Sequence, residues 1–288
     1  MSAQQIEIPH VDARQQKGIT DEQAKFFLDN GFLVVKNVLQ GKELAIVQQE
    51  MQALFDKGRS EVVPDEDYAY SKGVKSGRKV LKRIEYVIDK SDPMKALLGH
   101  PFILHSVEKL QGQNFIPTWD SMVVKVPDEG VIVPWHRDAA VPAGCTDPRP
   151  IFNVDFYLDE ADLKTCLWVI PGSNRWREEE ARQRCSRPGF DTSDAIPVPM
   201  QPGDVIFHDI TVIHGSPDGD GNAQRRTVYY EFRPGEIEAG FGPHTQEYIT
   251  FKQHVLLDCI ARRSATAYAA DEETYAYRYP HQSYWLER

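Results

Sequence analysis

Residues 133–142 read VPWHRDAAVP. His136 and Asp138 stand one residue apart, set among valine, tryptophan and proline. Side chains alternate faces along a β-strand, so residues i and i+2 point the same way and the residue between them points away. Read as a strand, this stretch turns an imidazole and a carboxylate toward one point and sends Arg137 to the other side. Two such metal ligands need a third from elsewhere in the chain. Read as a surface turn, the same residues are incidental.

The neighbouring segments favour strands. From about residue 118 the chain carries TWDSMVVKV, PIFNVDFYL, CLWVIPGS, IPVPMQPGDVIFHD and RRTVYYEFRP. Each is short, rich in β-branched and aromatic residues, and bounded by Gly, Pro, Asp or Asn. No helix of crossover length separates most of them, so an antiparallel barrel or jelly roll fits better than a parallel sheet. The expected fold is mainly β with flanking helices.

Before residue 118 the pattern is mixed. Residues 1–18 read as a loose arm. Thr20 and Gln23 fit a capping box for a helix closed by Gly31, and FLVVKNVL follows as a strand. A second helix covers about 41–57, with Leu44, Val47, Met51, Leu54 and Phe55 on one face. Residues 58–78 are polar and turn-rich, which suggests a lid or binding loop. KVLKRIEYVI reads as a strand, and SDPMKALLGHPFILHSVEKLQG as helix capped at Ser91 or Asp92. RWREEEARQRC is a charged helix within the strand region, and a closing helix covers EYITFKQHVLLDCIARRSATAYA.

The bulk numbers narrow the function classes. The chain has 288 residues, 41% hydrophobic and 26% charged, which is ordinary for a soluble globular protein. A formal net charge of −10 argues against nucleic acid as the main partner, since phosphate binding needs a basic surface. It leaves room for an acidic small substrate, because a cleft's local field can oppose the global charge. Cys145, Cys166, Cys185 and Cys259 include no CxxC pair and read as reduced thiols in a cytoplasmic protein. The polar start has no apolar signal region, and no apolar run approaches a membrane span.

The best third ligand is His214 in VIHGS, 78 positions after His136. Two His and one carboxylate on one side of a metal leave the other face open, an arrangement that favours non-haem Fe(II) activating oxygen. Zinc hydrolases also use two His and one acid, but H-x-D on a strand differs from the helical H-E-x-x-H of many zinc proteases. Arg225 follows His214 by 11 positions. Its guanidinium can grip a carboxylate in a bidentate fork. A 2-oxo acid with a distal carboxylate, as in 2-oxoglutarate, would meet the metal at one end and Arg225 at the other. Ser216 would donate a second hydrogen bond there.

These pieces occur in a recognisable order: TDEQAKFFLDNGFLVVKNVL, MVVKVPDEG, PWHRD, CLWVIPGSNRW, QPGDVIFHD, IHGS and NAQRRTVYY. The ordered set resembles the phytanoyl-CoA dioxygenase family of Fe(II)/2-oxoglutarate-dependent oxygenases, over roughly residues 20–234. The resemblance implies a double-stranded β-helix of cupin-like, jelly-roll form. It implies His136, Asp138 and His214 as iron ligands and Arg225, assisted by Ser216, as the clamp on the 2-oxoglutarate carboxylate. Lys82 in VLKRIEY matches, more loosely, a basic position near the cosubstrate. LKTCLWV stands where the family usually has Asn-Gly before the PGS strand. Halogenating relatives lack the carboxylate ligand, so Asp138 favours hydroxylation or a related oxidation. The implied organisation is one oxygenase domain over 1–288: an N-terminal part and lid (1–117), the β-helix core (118–234) and a C-terminal helical extension (235–288).

Some residues have rivals or plainer roles. His208 in VIFHD competes with His214 but reads as a strand histidine satisfied by local hydrogen bonds. Arg226 competes with Arg225, and only one of two adjacent strand residues should face a cavity. Trp135 and Arg137 read as core packing and surface pairing. Tyr68, Tyr70, Arg83, Trp119, Asn153, Asp155 and Tyr157 are candidates for a substrate pocket, with packing or solvation as the alternative. His244, His254 and His281 have no partner motif. The expected reaction uses Fe(II), 2-oxoglutarate and O2 to oxidise a C–H bond of a small molecule, yielding succinate and CO2. The competing reading is a metal-dependent hydrolase or isomerase on a similar barrel, which would not need Arg225. Oligomeric state is left open.

Overall fold

The structure, a computed structural model, describes residues 6–60, 63–127, 129, 132–217 and 224–280. The described part of the N-terminal arm, from residue 6, is docked rather than loose: Val11 is buried, and Asp12 bridges to Lys36. Thr20 and Gln23 form the expected reciprocal cap on α1 (Asp21–Asn30), and Gly31 ends it at φ +80°. β1 (Phe32–Val35) is buried on both faces. α2 (Gly41–Ser60) presents Val47, Met51 and Phe55 to the core, with Leu44 and Leu54 packed beside them.

The described residues of 58–78 are more regular than a turn-rich loop. They finish α2 and carry β2 (Tyr68–Lys72), which pairs with β3 (Lys79–Glu85). Tyr68 is buried in the helix-side core, and the Tyr70 hydroxyl donates to Gly58 O at 2.9 Å, so neither lines the cavity. A short helix, α3 (Val87–Lys90), follows β3, and the single helix read from residue 91 is two: α4 (Asp92–Leu98) and α5 (Pro101–Gln111). Pro101 disfavours helical backbone at His100, which is extended, and so separates α4 from α5. Ser91 caps α4 by its backbone alone.

The strand region then follows: β4 (Phe115–Lys125), β5 (Val133–His136), β6 (Phe152–Tyr157) and β7 (Leu167–Val169). α6 (Glu178–Cys185) interrupts it before β8 (Ile196–Val198), β9 (Val205–Asp209), β10 (His214–Ser216) and β11 (Arg225–Pro234). α7 (Gly235–Phe241) and α8 (Gln246–Ser264) follow.

The strands form two antiparallel sheets, in the orders β1-β9-β6-β11-β4-β3-β2 and β5-β10-β7-β8. This is the mainly β double-stranded β-helix, or jelly roll, with flanking helices. Period-2 alternation divides the larger sheet's side chains. Met122, Val124, Val154, Phe156, Phe207, Val228, Tyr230 and Phe232 join the core shared with the helices. Val123, Lys125, Asn153, His208, Arg225 and Tyr229 line a cavity on the opposite face. Phe32, Val34, Tyr157, Leu167, Val169, Val198 and Ile206 fill a second cluster between the sheets.

No described helix is long and apolar enough to cross a membrane. All four cysteines are free thiols.

Candidate active site

β5 and β10 are neighbours, and His136 and His214 are direct cross-strand partners. The register therefore brings together two imidazoles that are distant in sequence, with ring centroids 4.3 Å apart. Asp138 corrects the strand reading, because β5 ends at His136. The chain bends beyond it, and Asp138 N–H donates to Ile210 O at 2.9 Å. That anchor, rather than strand alternation, returns the carboxylate to the histidines. Arg137 does turn away: its guanidinium donates to Ser173 O at 2.6 Å and Trp176 O at 2.9 Å.

Asp138 Oδ1 lies 3.4 Å from His136 Nε2 and 3.5 Å from His214 Nε2. One ligand atom from each residue lies within 4.8 Å of the others. Each imidazole is oriented by its other nitrogen. His136 Nδ1 bonds Pro134 O at 2.8 Å, and His214 Nδ1 bonds Val212 O at 3.0 Å. A carbonyl accepts only, so Nδ1 carries the proton in both rings and the Nε2 lone pairs face Asp138. Burial pushes His214 down to about 3, which keeps it neutral and able to ligate. Burial opposes charge on His136 as well, but Asp138 overcomes it and the pKa rises. Burial would raise Asp138, yet the surrounding histidines hold it well below the carboxylate range. Donor types, tautomers and convergence all fit a divalent metal.

His208 belongs to the site, which its reading as a locally satisfied strand residue missed. Its Nε2 bonds Asp138 Oδ2 at 2.9 Å, and its Nδ1 lies 2.8 Å from Asp155 Oδ2. Asn153 Nδ2 donates to the same Asp138 oxygen at 2.9 Å. Burial opposes charge on His208, but the two carboxylates raise it to about 10. Burial lifts Asp155 to about 6. The alternation of β6 and β9, which places Asn153, Asp155 and His208 on the cavity face, was the signal in the sequence. Nothing in the sequence joined these residues to Asp138.

The cavity measures about 320 Å³ and includes Lys82, Arg83, Trp119, Lys125, Ser216 and Arg225 in its wall beside the three candidate ligands. Arg225 is buried, with its guanidinium 5.7 Å from the Tyr157 ring and Nη1 donating to Thr165 O at 2.8 Å. Its Nε and the nearby Thr227 Oγ1 are buried without a hydrogen-bond partner. An unmatched guanidinium nitrogen at a cavity wall suits an anionic ligand, because leaving it unpaired is costly. Arg226 faces away and grips Asp159 with two bonds, at 2.7 and 2.8 Å. Ser216 reaches the cavity, but its hydroxyl donates to Cys166 O at 2.9 Å. Lys82 lies exposed at the rim. His281 lies outside the described residues.

A jelly roll with two histidines and a carboxylate meeting in an open cavity defines a class of mononuclear metal enzymes. The family profile described as Phytanoyl-CoA dioxygenase (PhyH) matches residues 27–227. A probable phytanoyl-CoA dioxygenase of Caenorhabditis elegans is 24% identical, over 91% of this chain and 89% of its own. A probable alpha-ketoglutarate-dependent hypophosphite dioxygenase of Stutzerimonas stutzeri is also 24% identical, over 71% of this chain and 75% of its own. The crystal structure of EctD from S. alaskensis with 2-oxoglutarate and 5-hydroxyectoine shares the fold. It aligns at TM-score 0.63 and 19% identity, covering 82% of this chain and 84% of its own. The chain belongs to the phytanoyl-CoA dioxygenase family, and it is an Fe(II)/2-oxoglutarate-dependent dioxygenase.

Proposed function

We propose that His136 Nε2, His214 Nε2 and Asp138 Oδ1 hold Fe(II), that Arg225 binds the distal carboxylate of 2-oxoglutarate, and that the enzyme hydroxylates a small acidic metabolite. The observation that carries this reading is the convergence of those three ligand atoms within 4.8 Å. Iron with its cosubstrate would supply the oxidation R–H + 2-oxoglutarate + O2 → R–OH + succinate + CO2. The protein's own residues bind and orient. The histidine Nδ1 bonds keep both Nε2 lone pairs available. Arg225 supplies a buried positive charge with an unmatched Nε. Lys82 adds charge at the rim, and Ser216 would need to release Cys166 O before donating to the cosubstrate.

Among the described residues the cavity wall carries Lys82, Arg83, Lys125 and Arg225, with Asp138 as the one carboxylate. In a chain of net charge −10 this local balance favours an anion. Arg83 lies over the Trp119 ring at 5.4 Å, and Val123, Ile132, Val133 and Tyr229 add apolar wall. Such a lining suits a small molecule with one acidic group on a largely apolar body.

Incubation with Fe(II), 2-oxoglutarate and air against a panel of small carboxylated and phosphorylated metabolites tests this, with succinate and hydroxylated product as readouts. Coupled formation of both is expected with an acidic panel member. His136→Ala and His214→Ala are each expected to abolish 2-oxoglutarate turnover. Unchanged turnover in either variant rejects the ligand assignment.

A further inference from the structure

We infer that His208 and Asn153 are positioning residues that clamp one oxygen of Asp138, so that this carboxylate meets the metal through its other oxygen alone. The inference rests on the proposed ligand set. The two oxygens of Asp138 have separate surroundings. Oδ2 accepts from His208 Nε2 and from Asn153 Nδ2, each at 2.9 Å. Oδ1 makes neither bond and faces His136 Nε2 and His214 Nε2. A carboxylate can hold a metal through one oxygen or both. The second mode would fill a position that the open face of a two-His, one-carboxylate site must leave for other ligands. With Oδ2 engaged by two donors, that mode requires breaking both bonds.

The clamp is itself supported. His208 is 1% exposed on β9, and Asn153 and Asp155 come from neighbouring β6. Asp155 is fully buried; its Oδ2 lies 2.8 Å from His208 Nδ1 as an ion-pair contact, while both of its oxygens and that nitrogen lack a hydrogen-bond partner. A carboxylate buried at that cost needs a compensating contact, and the His208 ring provides it. Asp155 thus sets a negative charge behind the ring, on the side away from Asp138. Asn153 Nδ2 also lies 3.2 Å from His208 Nε2, so both donors converge on one oxygen. Partners behind a metal ligand commonly hold its orientation in this way.

Titrating the metal-free enzyme with Co(II), and following visible absorption, tests the clamp without turnover. His208→Leu and Asn153→Leu are each expected to weaken Co(II) binding on the order of 10–100-fold. The absorption of the bound Co(II) should change as Asp138 alters its mode of ligation. His208→Gln, whose amide N–H reaches the place of Nε2, should restore most of the affinity and the unaltered spectrum. Thermal melts of the metal-free variants check folding, and should His208→Leu fail to fold, Asn153→Leu decides. Unaltered affinity and spectrum in a folded leucine variant overturn the clamp, because the backbone anchor of Asp138 would then suffice. If His136→Ala binds Co(II) like the unaltered chain, the ligand set itself is wrong. If His136→Ala loses Co(II) while both leucine variants keep it, only the clamp is wrong.

Discussion

Arg225 and Arg226 are adjacent and nearly equally buried, at 1% and 6% exposure, yet they meet opposite surroundings. Strand alternation turns Arg225 into the cavity and Arg226 toward Asp159, Gln48 and Gln52. Arg225→Ala is expected to raise the 2-oxoglutarate concentration for half-maximal rate by roughly 100-fold, about 3 kcal/mol, as loss of one partner of a buried charge pair does. Arg226→Ala should leave that concentration unchanged and lower the unfolding free energy by about 3 kcal/mol, because Asp159 loses both guanidinium bonds and keeps only that from the backbone N–H. Steady-state kinetics and denaturant unfolding on both variants separate the roles, and a reversed pattern would exchange the assignments. The sequence showed that only one arginine would face inward. It could not show which, because a strand's absolute facing depends on the sheet that receives it.

At the scale of elements, the turn before β9 explains how the site is held. Gly203 lies at φ +91°, and a Cβ there would sit 2.1 Å from Leu39 O. Asp204 beside it accepts from Asn37 N–H at 3.1 Å and Lys36 Nζ at 2.7 Å, tying β9 to the end of β1. Gly203→Ala should therefore lower stability by about 2–4 kcal/mol through backbone strain and overlap, measured by chemical unfolding. The junction between α4 and α5 carries a pH dependence. Burial, then the nearby Arg263, holds His100 well below the usual histidine range. Its folded pKa is thus below its unfolded value, so the unfolded chain takes up a proton first as pH falls. Its contribution is complete above about pH 6.5 and is lost progressively at lower pH. His100→Gln should reduce the slope of unfolding free energy against pH between about pH 6.5 and 5, by up to one proton. An unchanged slope would place the acid sensitivity elsewhere. Element types were largely legible from periodicity and caps, as at Thr20 and Gly31. Strand β2 and the split between α4 and α5 were not legible for one reason: partner strands and a proline junction overrode local composition.

Across the whole molecule, two sheets hold the cavity between them, and the larger sheet separates it from the helix-side core. The proposed metal and cosubstrate ligands come from both sheets: His136 and His214 from the smaller, Arg225 from the larger. Ligands that bind only the folded chain stabilise it by mass action, about 2.7 kcal/mol at 100 times Kd. Fe(II) with 2-oxoglutarate, added without oxygen, should raise Tm by several degrees, and a chelator should reverse the shift. His136→Ala should show no such rise. A full shift in that variant would mean that the ligands bind elsewhere. By itself the sequence determined the kind of fold and the chemistry it can hold, since alternation, turn residues and the order of HRD, PGD, HGS and RR are local properties of the chain. Only the tertiary structure decided that Asp138 returns to the site by a bend anchored on Ile210 and that His208 stands behind it. The reason is physical: hydrogen bonds between residues tens of positions apart depend on sheet register, which no local pattern of side chains encodes.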